Sequence, residues 1–273
     1  MKKEVISVTK KRRPIWTAVL SLIMPGLGHV YAGDLKKGLS LVGIEYGVIL
    51  LAGVFGILST FYGIASLIVL AVGFYVFVVS SSVRLALKNK EYQLQSYNRW
   101  YWYLAIFVAV SFFANVLFSF RGDILGYETY RIPAKSMEPT LQVGDFITVN
   151  TRYPQPKVGD VMVFLYPKDR SIPYVKRVVA LSNDTVSINN GIVIRNGKPE
   201  NLLLVPESAR QKDFSISMEE KQVLENEVFF LGDWRDNSND SRFWGTVPVT
   251  DVIGKVTYIW FSKDVSRIGK AVE

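Results

Sequence analysis

Ser136 lies in the stretch Ile-Pro-Ala-Lys-Ser-Met-Glu-Pro-Thr-Leu, residues 132–141, soon after the last long apolar run of the chain. A serine hydroxyl becomes nucleophilic when a neighbouring base takes its proton, and that base is usually histidine. The only histidine here is His29, far away in an apolar region. Ser136 is therefore either a residue that caps a turn or a nucleophile with a different base. The absence of cysteine excludes thiolate nucleophiles, disulfides and cysteine-ligated metals.

Lysine is the remaining type of base, and Lys176 is the best candidate. It lies in the strand-like run 173–181, where alternation places Tyr174, Lys176 and Val178 on one face. Apolar neighbours penalise a charged amine, so burial there lowers the lysine pKa and allows a neutral base near neutral pH. The alternative is a buried stem with a solvated head. Lys135 is a poorer base, because adjacent residues of an extended segment point to opposite faces.

A third polar cluster, Gly-Asp-Trp-Arg-Asp-Asn-Ser-Asn-Asp-Ser-Arg-Phe-Trp-Gly, spans residues 232–245. Its alternating polar residues permit a calcium loop, but Ser241 stands where such a loop needs glycine and Val247 where it needs glutamate. Arg235 and Arg242 also supply internal cations. We therefore expect no metal here. The cluster predicts a self-satisfied network that fixes a loop and offers a serine hydroxyl to orient a base.

Composition predicts a membrane region followed by a globular domain. The chain has 273 residues, 49% of them hydrophobic, and a mean hydropathy of +0.19. The net charge of +8 divides unevenly: residues 1–121 carry 13 basic and 4 acidic side chains, and residues 122–273 carry 19 and 20. Basic residues beside apolar spans are typical of cytoplasmic loops. The charge therefore indicates membrane topology, and we expect no nucleic acid as a partner.

Residues 1–121 are predicted to form the membrane region. Spans are expected near 39–57, 60–83 and 101–119, each close to the length that a crossing helix needs. The apolar segment 15–32 is interrupted by Pro-Gly-Leu-Gly-His, so we expect it to re-enter or to lie in the interface. With the basic tail and the basic connection after the third apolar stretch in the cytoplasm, residues 122–273 reach the extracytoplasmic side.

Residues 122–273 have the pattern of an antiparallel β domain. Short β-branched and aromatic runs alternate with Gly, Pro, Asn and Asp, which favours hairpins over βαβ units. Asn-Gly turn signals predict a hairpin excursion near 185–200. The polar segment 206–227 is predicted to be a loop with one helical turn. The fold class is thus mainly β, with a catalytic domain attached to an N-terminal multi-helix membrane anchor.

Together the clusters resemble the sequence boxes of bacterial type I signal peptidases, membrane serine proteases that use a Ser/Lys dyad. The matching boxes are Ser-Met-x-Pro-Thr-Leu from residue 136, Gly-Asp-Val-x-Val-Phe from 159, Tyr-Val-Lys-Arg from 174, and the run 232–245. The resemblance covers roughly residues 130–262. The last box is long and specific, so agreement in order and spacing is not expected by chance.

The resemblance implies the catalytic roles. Ser136 matches the nucleophile, Lys176 the general base, and Ser238 the residue whose hydroxyl orients the lysine. The backbone N–H of Ser136 would donate to the oxyanion, whereas Ala134 stands where some members have a serine that supplies a second donor. Asn183 stands where the family commonly has glycine, and we expect it to adopt the left-handed conformation of that turn.

The resemblance also implies supporting residues. Asp233, Asp240 and Arg242 match positions that brace the site. Met137 and Pro139 are expected on the surface that faces substrate and bilayer.

The sequence thus predicts a serine endopeptidase of the bacterial cytoplasmic membrane that removes signal peptides from exported preproteins, without a cofactor or metal. The expected partners are signal-peptide-bearing preproteins and the lipid bilayer. Two alternatives stay open: a specialised Ser/Lys peptidase that processes one secreted or conjugation partner, and a non-catalytic scaffold that binds signal peptides. The intact pattern of Ser136, Lys176 and Ser238 argues against the scaffold.

Overall fold

A computed structural model describes residues 9–89, 91–153, 155–200 and 205–273. The chain divides into two compact units, one formed by residues up to 58 with 62–125 and the other by residues 59–61 with 126–273. The first is helical and apolar, and the second is built on antiparallel sheets. The predicted fold class is confirmed.

The helical region contains six helices among the described residues: α1 (Pro14–Ile23), α2 (Leu27–Ala32), α3 (Leu35–Val54), α4 (Phe61–Lys88), α5 (Trp100–Ser119) and α6 (Arg121–Leu125). Strand β1 (Thr9–Lys10) pairs with β2 (Tyr92–Gln93). Three of the described helices, α3, α4 and α5, are long and apolar enough to cross a membrane. Helix α3 begins earlier than the apolar run, because the Asp34 carboxylate caps it by accepting from the Lys37 N–H.

The segment 15–32 is broken into α1 and α2, at the position of the Pro-Gly pair. Gly26 has φ of +87°, and a Cβ there would lie 2.1 Å from the Gly38 carbonyl oxygen of α3. Only glycine fits this approach. His29 of α2 is fully buried, and its Nε2 lies 2.9 Å from the Ser81 hydroxyl of α4. This histidine therefore serves helix packing within the helical unit.

In the described part of the second unit there are two sheets. Its strands are β3 (Tyr127–Arg131), β4 (Phe146–Asn150), β5 (Val161–Tyr166), β6 (Asp169–Ala180), β7 (Thr185–Asn189), β8 (Ile192–Arg195), β9 (Lys198–Pro199), β10 (Met218–Gln222), β11 (Glu227–Leu231), β12 (Val247–Pro248) and β13 (Val252–Phe261). The larger sheet has the order β12-β11-β6-β5-β13-β4-β3, and the smaller has the order β10-β7-β8-β9. Its described residues also form two short α-helices, α7 (Asp213–Ile216) and α8 (Ser241–Trp244).

The segment 206–227 has more structure than predicted. It contains two helical turns where one was predicted, a 3₁₀ turn at Glu207–Ala209 and α7, and also β10, which pairs with β7. The sequence of β10, Met-Glu-Glu-Lys-Gln, lacks apolar alternation because it is an exposed edge strand with little to bury. The turn after β6 agrees with expectation, since Asn183 has φ of +68°.

The apolar core of the larger sheet lies under the loops that carry the chemistry. Ile147, Val149, Val163 and Val256 pack with Met137, and all are at most 1% exposed. Burial of each such side chain contributes roughly 1.5–3 kcal/mol. This core therefore anchors the turn that follows β3.

Candidate active site

Ser136 stands on a single 3₁₀ turn, Lys135–Met137, that follows β3. Met137 points inward, packs in the core and is only 1% exposed, so it is not on the exposed bilayer-facing surface that we expected for it. Its carbonyl accepts from the Leu141 N–H at 2.8 Å, and the Ser136 carbonyl accepts from the Trp234 N–H at 3.1 Å. The serine is thus held by apolar packing below and by a backbone bond to the loop 232–245.

Lys176 of strand β6 meets Ser136. Its Nζ lies 2.7 Å from the Ser136 Oγ, and it also donates to the Val175 carbonyl at 3.0 Å. Lys176 is only 5% exposed, so its amino group is buried. The alternative of a buried stem with a solvated amino group therefore does not apply. The Tyr174 ring lies close to it, with the centroid 5.5 Å from Nζ. Lys135, by contrast, is exposed.

The surroundings of Lys176 favour its neutral form. Burial lowers the pKa of Lys176 to about 8, the negative charges of Asp240 and Asp233 act to raise it, and the positive charge of Arg242 acts to lower it. The lysine is therefore half neutral at mildly alkaline pH. A neutral amine at 2.7 Å can accept the hydroxyl proton of Ser136.

Ser238 lines the same groove as the dyad but makes no hydrogen bond to the lysine. It is 6% exposed, and its Oγ has no hydrogen-bond partner among the described residues. The predicted hydrogen bond to Lys176 is therefore not present in this structure. Gly232 allows the close approach of the two segments, because a Cβ there would lie 2.2 Å from the Ser238 Oγ and 2.5 Å from the Ser136 carbonyl oxygen.

Asp233 links the loop 232–245 to the nucleophile turn. Its carboxylate accepts two hydrogen bonds from Arg177, at 2.8 Å from Nε and 2.7 Å from Nη2, and one from the Thr140 hydroxyl at 2.5 Å. This bidentate geometry is the strong form of an ion pair. The contribution of Arg177 and Thr140 was not predicted. The signal was present, since Arg177 follows Lys176 directly and alternation turns it to the opposite face of β6.

Asp240 and Arg242 form a second buried pair on the other side of the loop. Arg242 Nε donates to Asp240 Oδ1 at 2.8 Å, and Nη2 donates to Oδ2 at 2.9 Å. Asp240 Oδ2 also accepts from the Gly232 N–H at 3.0 Å. The Asp240–Arg242 pair thus holds Gly232, the residue at which the segments that carry Ser136 and Ser238 approach each other.

A groove of about 900 Å³ runs past the dyad. It is lined by the end of β3 with residues 132–134, by residues 172–176 of β6, and by residues 236–239 and Phe243, with the buried Met137 in its floor. Most of its wall is apolar, which suits small uncharged side chains. Ala134 is part of this wall and offers no hydroxyl. Pro139 does not line the groove; it is exposed beside a separate cavity of about 450 Å³.

The site contains cationic and hydroxyl groups rather than a set of metal ligands. Across the residues that the structure describes, no three His, Cys, Asp or Glu side chains lie together as a metal site requires. The carboxylates of Asp233 and Asp240 are already bound to arginines. The arrangement can transfer a proton from Ser136 to Lys176 and hold an extended chain across them.

Comparisons with known proteins find similarity to signal peptidases. A family model described as "Signal peptidase, peptidase S26" matches residues 99–261. "Probable signal peptidase I-1" of Synechocystis sp. is 37% identical over 142 residues, which cover 48% of this chain and 69% of the relative. "Signal peptidase I" of Pseudomonas aeruginosa is 34% identical over 223 residues, covering 64% and 75%. A solved signal peptidase I of Enterococcus faecalis is 25% identical over 38% of this chain and 98% of that chain, with a TM-score of 0.32.

Proposed function

This chain belongs to the signal peptidase family, peptidase S26, and we propose that it removes signal peptides from exported preproteins with Ser136 as nucleophile and Lys176 as general base. Family membership makes it a serine endopeptidase that acts on preproteins carrying signal peptides. One observation carries the assignment of the dyad: the buried Lys176 Nζ lies 2.7 Å from the Ser136 Oγ. The only histidine of the chain, His29, is buried among the helices of the other unit.

The first half of the reaction forms an acyl-enzyme. Neutral Lys176 takes the proton of Ser136, and Oγ attacks the scissile carbonyl carbon of the preprotein. The carbonyl oxygen becomes an oxyanion, which the backbone N–H of Ser136 stabilises. The Lys176 ammonium then gives its proton to the departing amide nitrogen, the C–N bond breaks, and the mature protein leaves with a free amino terminus.

The second half releases the signal peptide. Lys176, neutral again, takes a proton from water, and the resulting hydroxide attacks the ester carbon of the acyl-enzyme. The second tetrahedral intermediate collapses, the bond to Oγ breaks, and Lys176 returns its proton to Ser136. Every proton thus passes through one amine, which must change its charge repeatedly during turnover. A lysine with a pKa near 8 suits this task better than an ordinary surface lysine.

The groove supports an extended substrate. Residues at the end of β3 and the beginning of β6 form its two walls, so a peptide strand can hydrogen-bond to backbone groups on either side. By resemblance, shallow apolar subsites accept small side chains at the first and third positions before the cut. The apolar wall around Ile132 and Val175 is consistent with such subsites.

We also infer the membrane arrangement from the sequence and the helices. Residues 1–121 form a multi-pass region of the cytoplasmic membrane, α3, α4 and α5 cross the bilayer, the segment 15–32 does not, and residues 122–273 lie on the extracytoplasmic side. Because the native chain has no cysteine, a single Lys37→Cys substitution tests this topology. Labelling of the introduced thiol from the outside of intact cells contradicts it; labelling only after permeabilisation supports it.

The dyad is tested with purified protein, a preprotein, and mass spectrometry of the cleavage products. Ser136→Ala and Lys176→Ala are each expected to lower kcat/KM at least ~1,000-fold, because nucleophile and base act as one unit. Lys135→Ala is the matched control, since Lys135 neighbours Ser136 but is exposed, and we expect it to stay active. Normal cleavage by either dyad variant contradicts the proposal.

A further inference from the structure

The loop 232–245 is held from outside by residues 211–215, here called the clamp segment, which lies outside all four sequence boxes. We propose that the clamp segment, chiefly through Ser215, is a positioning device that sets the orientation of Arg242 and thereby the charge that Lys176 experiences. The inference rests on the proposed dyad, because its consequence is a change in the proton affinity of Lys176.

All five N–H donors of Arg242 are used, and two of them end on the clamp segment. Nη1 donates to the Phe214 carbonyl at 3.1 Å and to the Ser215 hydroxyl at 3.2 Å. The other three bind Asp240, twice, and the Arg235 carbonyl at 2.6 Å. The Arg242 side chain is only 3% exposed, so water cannot replace a lost partner without rearrangement. Ser215 itself is fully buried.

The clamp segment also binds the earlier part of the same loop, at Asp236. The Asp236 carboxylate accepts from the backbone N–H groups of Gln211 at 2.8 Å and Lys212 at 3.0 Å. Partial burial acts to raise the pKa of Asp236, but these two bonds and the Ser215 hydroxyl hold it below its ordinary value. The clamp segment thus contacts the loop on both sides of Ser238. Ser238 lines the groove, and its hydroxyl has no hydrogen-bond partner among the described residues.

Two aromatic rings also contact the Arg242 guanidinium. The guanidinium carbon lies 5.3 Å from the Phe214 ring centroid and 5.5 Å from that of Phe243, within the range of a cation–π contact. The Lys221 ammonium donates to the Arg242 carbonyl at 3.2 Å. Backbone, hydroxyl and ring contacts therefore all converge on one arginine.

The orientation of Arg242 matters because it balances Asp240. Lys176 is faced by Ser136 from the turn, by Tyr174 on its own strand, and by Asp233, Asp240 and Arg242 from the loop. Asp240 and Asp233 favour the ammonium form, and Arg242 opposes it. If Arg242 turns away, the negative charge of Asp240 acts on Lys176 with less compensation. The lysine then keeps its proton to higher pH, and fewer molecules have a free base at neutral pH.

The test is Ser215→Ala in the full-length protein in detergent micelles, with NMR titration of ¹⁵N-labelled lysine as the first measurement. The Lys176 signal is assigned by its loss in Lys176→Met. We expect the Lys176 pKa to rise by ~0.5 units in Ser215→Ala. Phe214→Ala removes one ring but keeps the carbonyl, so it should give a smaller rise in the same direction. Ser217→Ala is the control, because Ser217 lies two residues beyond Ser215 and is exposed.

The second measurement is the pH profile of kcat/KM on a preprotein. The acid limb should move to higher pH by the same amount in Ser215→Ala, with activity recovered at alkaline pH, and should not move in Ser217→Ala. A uniform loss of activity at all pH values with an unmoved limb indicates a merely structural role and overturns the inference. If Ser215→Ala does not fold, the NMR titration and the pH profile of Phe214→Ala test the inference instead. If wild-type protein does not cleave preproteins, the proposed function fails, yet the NMR titration still tests the clamp.

Discussion

The two halves of the active site are held by different forces. Ser136 stands on a turn that is fixed by apolar burial, with Met137 and Leu141 inserted into the core of the larger sheet. Lys176 comes from a regular strand but lies within a framework of buried charges, the Arg177–Asp233 and Arg242–Asp240 pairs. The nucleophile needs a fixed position, which packing provides. The base needs a tuned proton affinity, which only nearby charges and burial provide.

This difference predicts that changes on the two sides have different signatures. Loss of packing under Ser136 lowers activity without moving its pH dependence, because no charge changes. Loss of a charge around Lys176 moves the pH dependence, because the proton affinity of the base changes.

The largest effect is expected for Lys176→Met. Activity should fall at least ~1,000-fold, whereas the folded state should become more stable. A lysine whose pKa drops from 10.5 to about 8 on folding destabilises the protein by on the order of 3 kcal/mol below pH 8. The penalty disappears as pH rises from 8 to 10.5, because the folded lysine is then neutral and the unfolded lysine also loses its proton.

Thermal unfolding across pH 6.5–10.5 measures this. The gain in Tm of Lys176→Met over the wild type should be greatest below pH 8 and should shrink towards pH 10.5. A variant that is less stable than the wild type at pH 7 would show that Lys176 is not penalised by burial.

Asp240→Asn should give the next largest effect. Removing one charge of a buried pair typically costs about 3–5 kcal/mol, because Arg242 is left without its counter-ion. The acid limb of kcat/KM should also move to lower pH, since Asp240 favours the protonated form of Lys176. This shift is opposite in sign to the one expected for Ser215→Ala. An acid limb that moves upward in Asp240→Asn contradicts the electrostatic account.

Met137→Ala tests the other half of the comparison. The side chain is 1% exposed, and truncation should cost roughly 2–4 kcal/mol of unfolding free energy. We expect a lower kcat as the turn loosens, with the acid limb at the wild-type pH. Chemical denaturation and the pH profile of the same preparation check both statements, and a displaced limb would show that packing and proton affinity are coupled here.

Sequence predicted the parts of the site that follow from local rules. Strand alternation places Lys176 among apolar neighbours, the Pro-Gly pair predicts the break between α1 and α2, and Asn183 was expected in the left-handed conformation that it adopts. These features depend on one residue and its immediate neighbours. The fold class followed from the same kind of pattern.

Contacts between distant segments could not be predicted. The inward direction of Met137 depends on the turn geometry after β3. The absence of a hydrogen bond from Ser238 to Lys176 depends on how two segments meet at Gly232. Arg242 binds the Ser215 hydroxyl and the Phe214 carbonyl, which lie 27 and 28 positions earlier in the chain. Neither group gives a recognisable sequence pattern. Strand β10 was missed because charged edge strands carry no periodic apolar signal.

The pH dependence of kcat/KM for the wild-type protein on a preprotein tests the central claim most directly, because it reports the ionisation of the free enzyme. If Lys176 is the base, activity should rise tenfold per pH unit on the acid side and level off near pH 8. The acid limb should be absent from the residual activity of Lys176→Met. A wild-type limb centred near pH 6.5, or one that continues to rise past pH 10, would contradict a buried lysine as the base of Ser136.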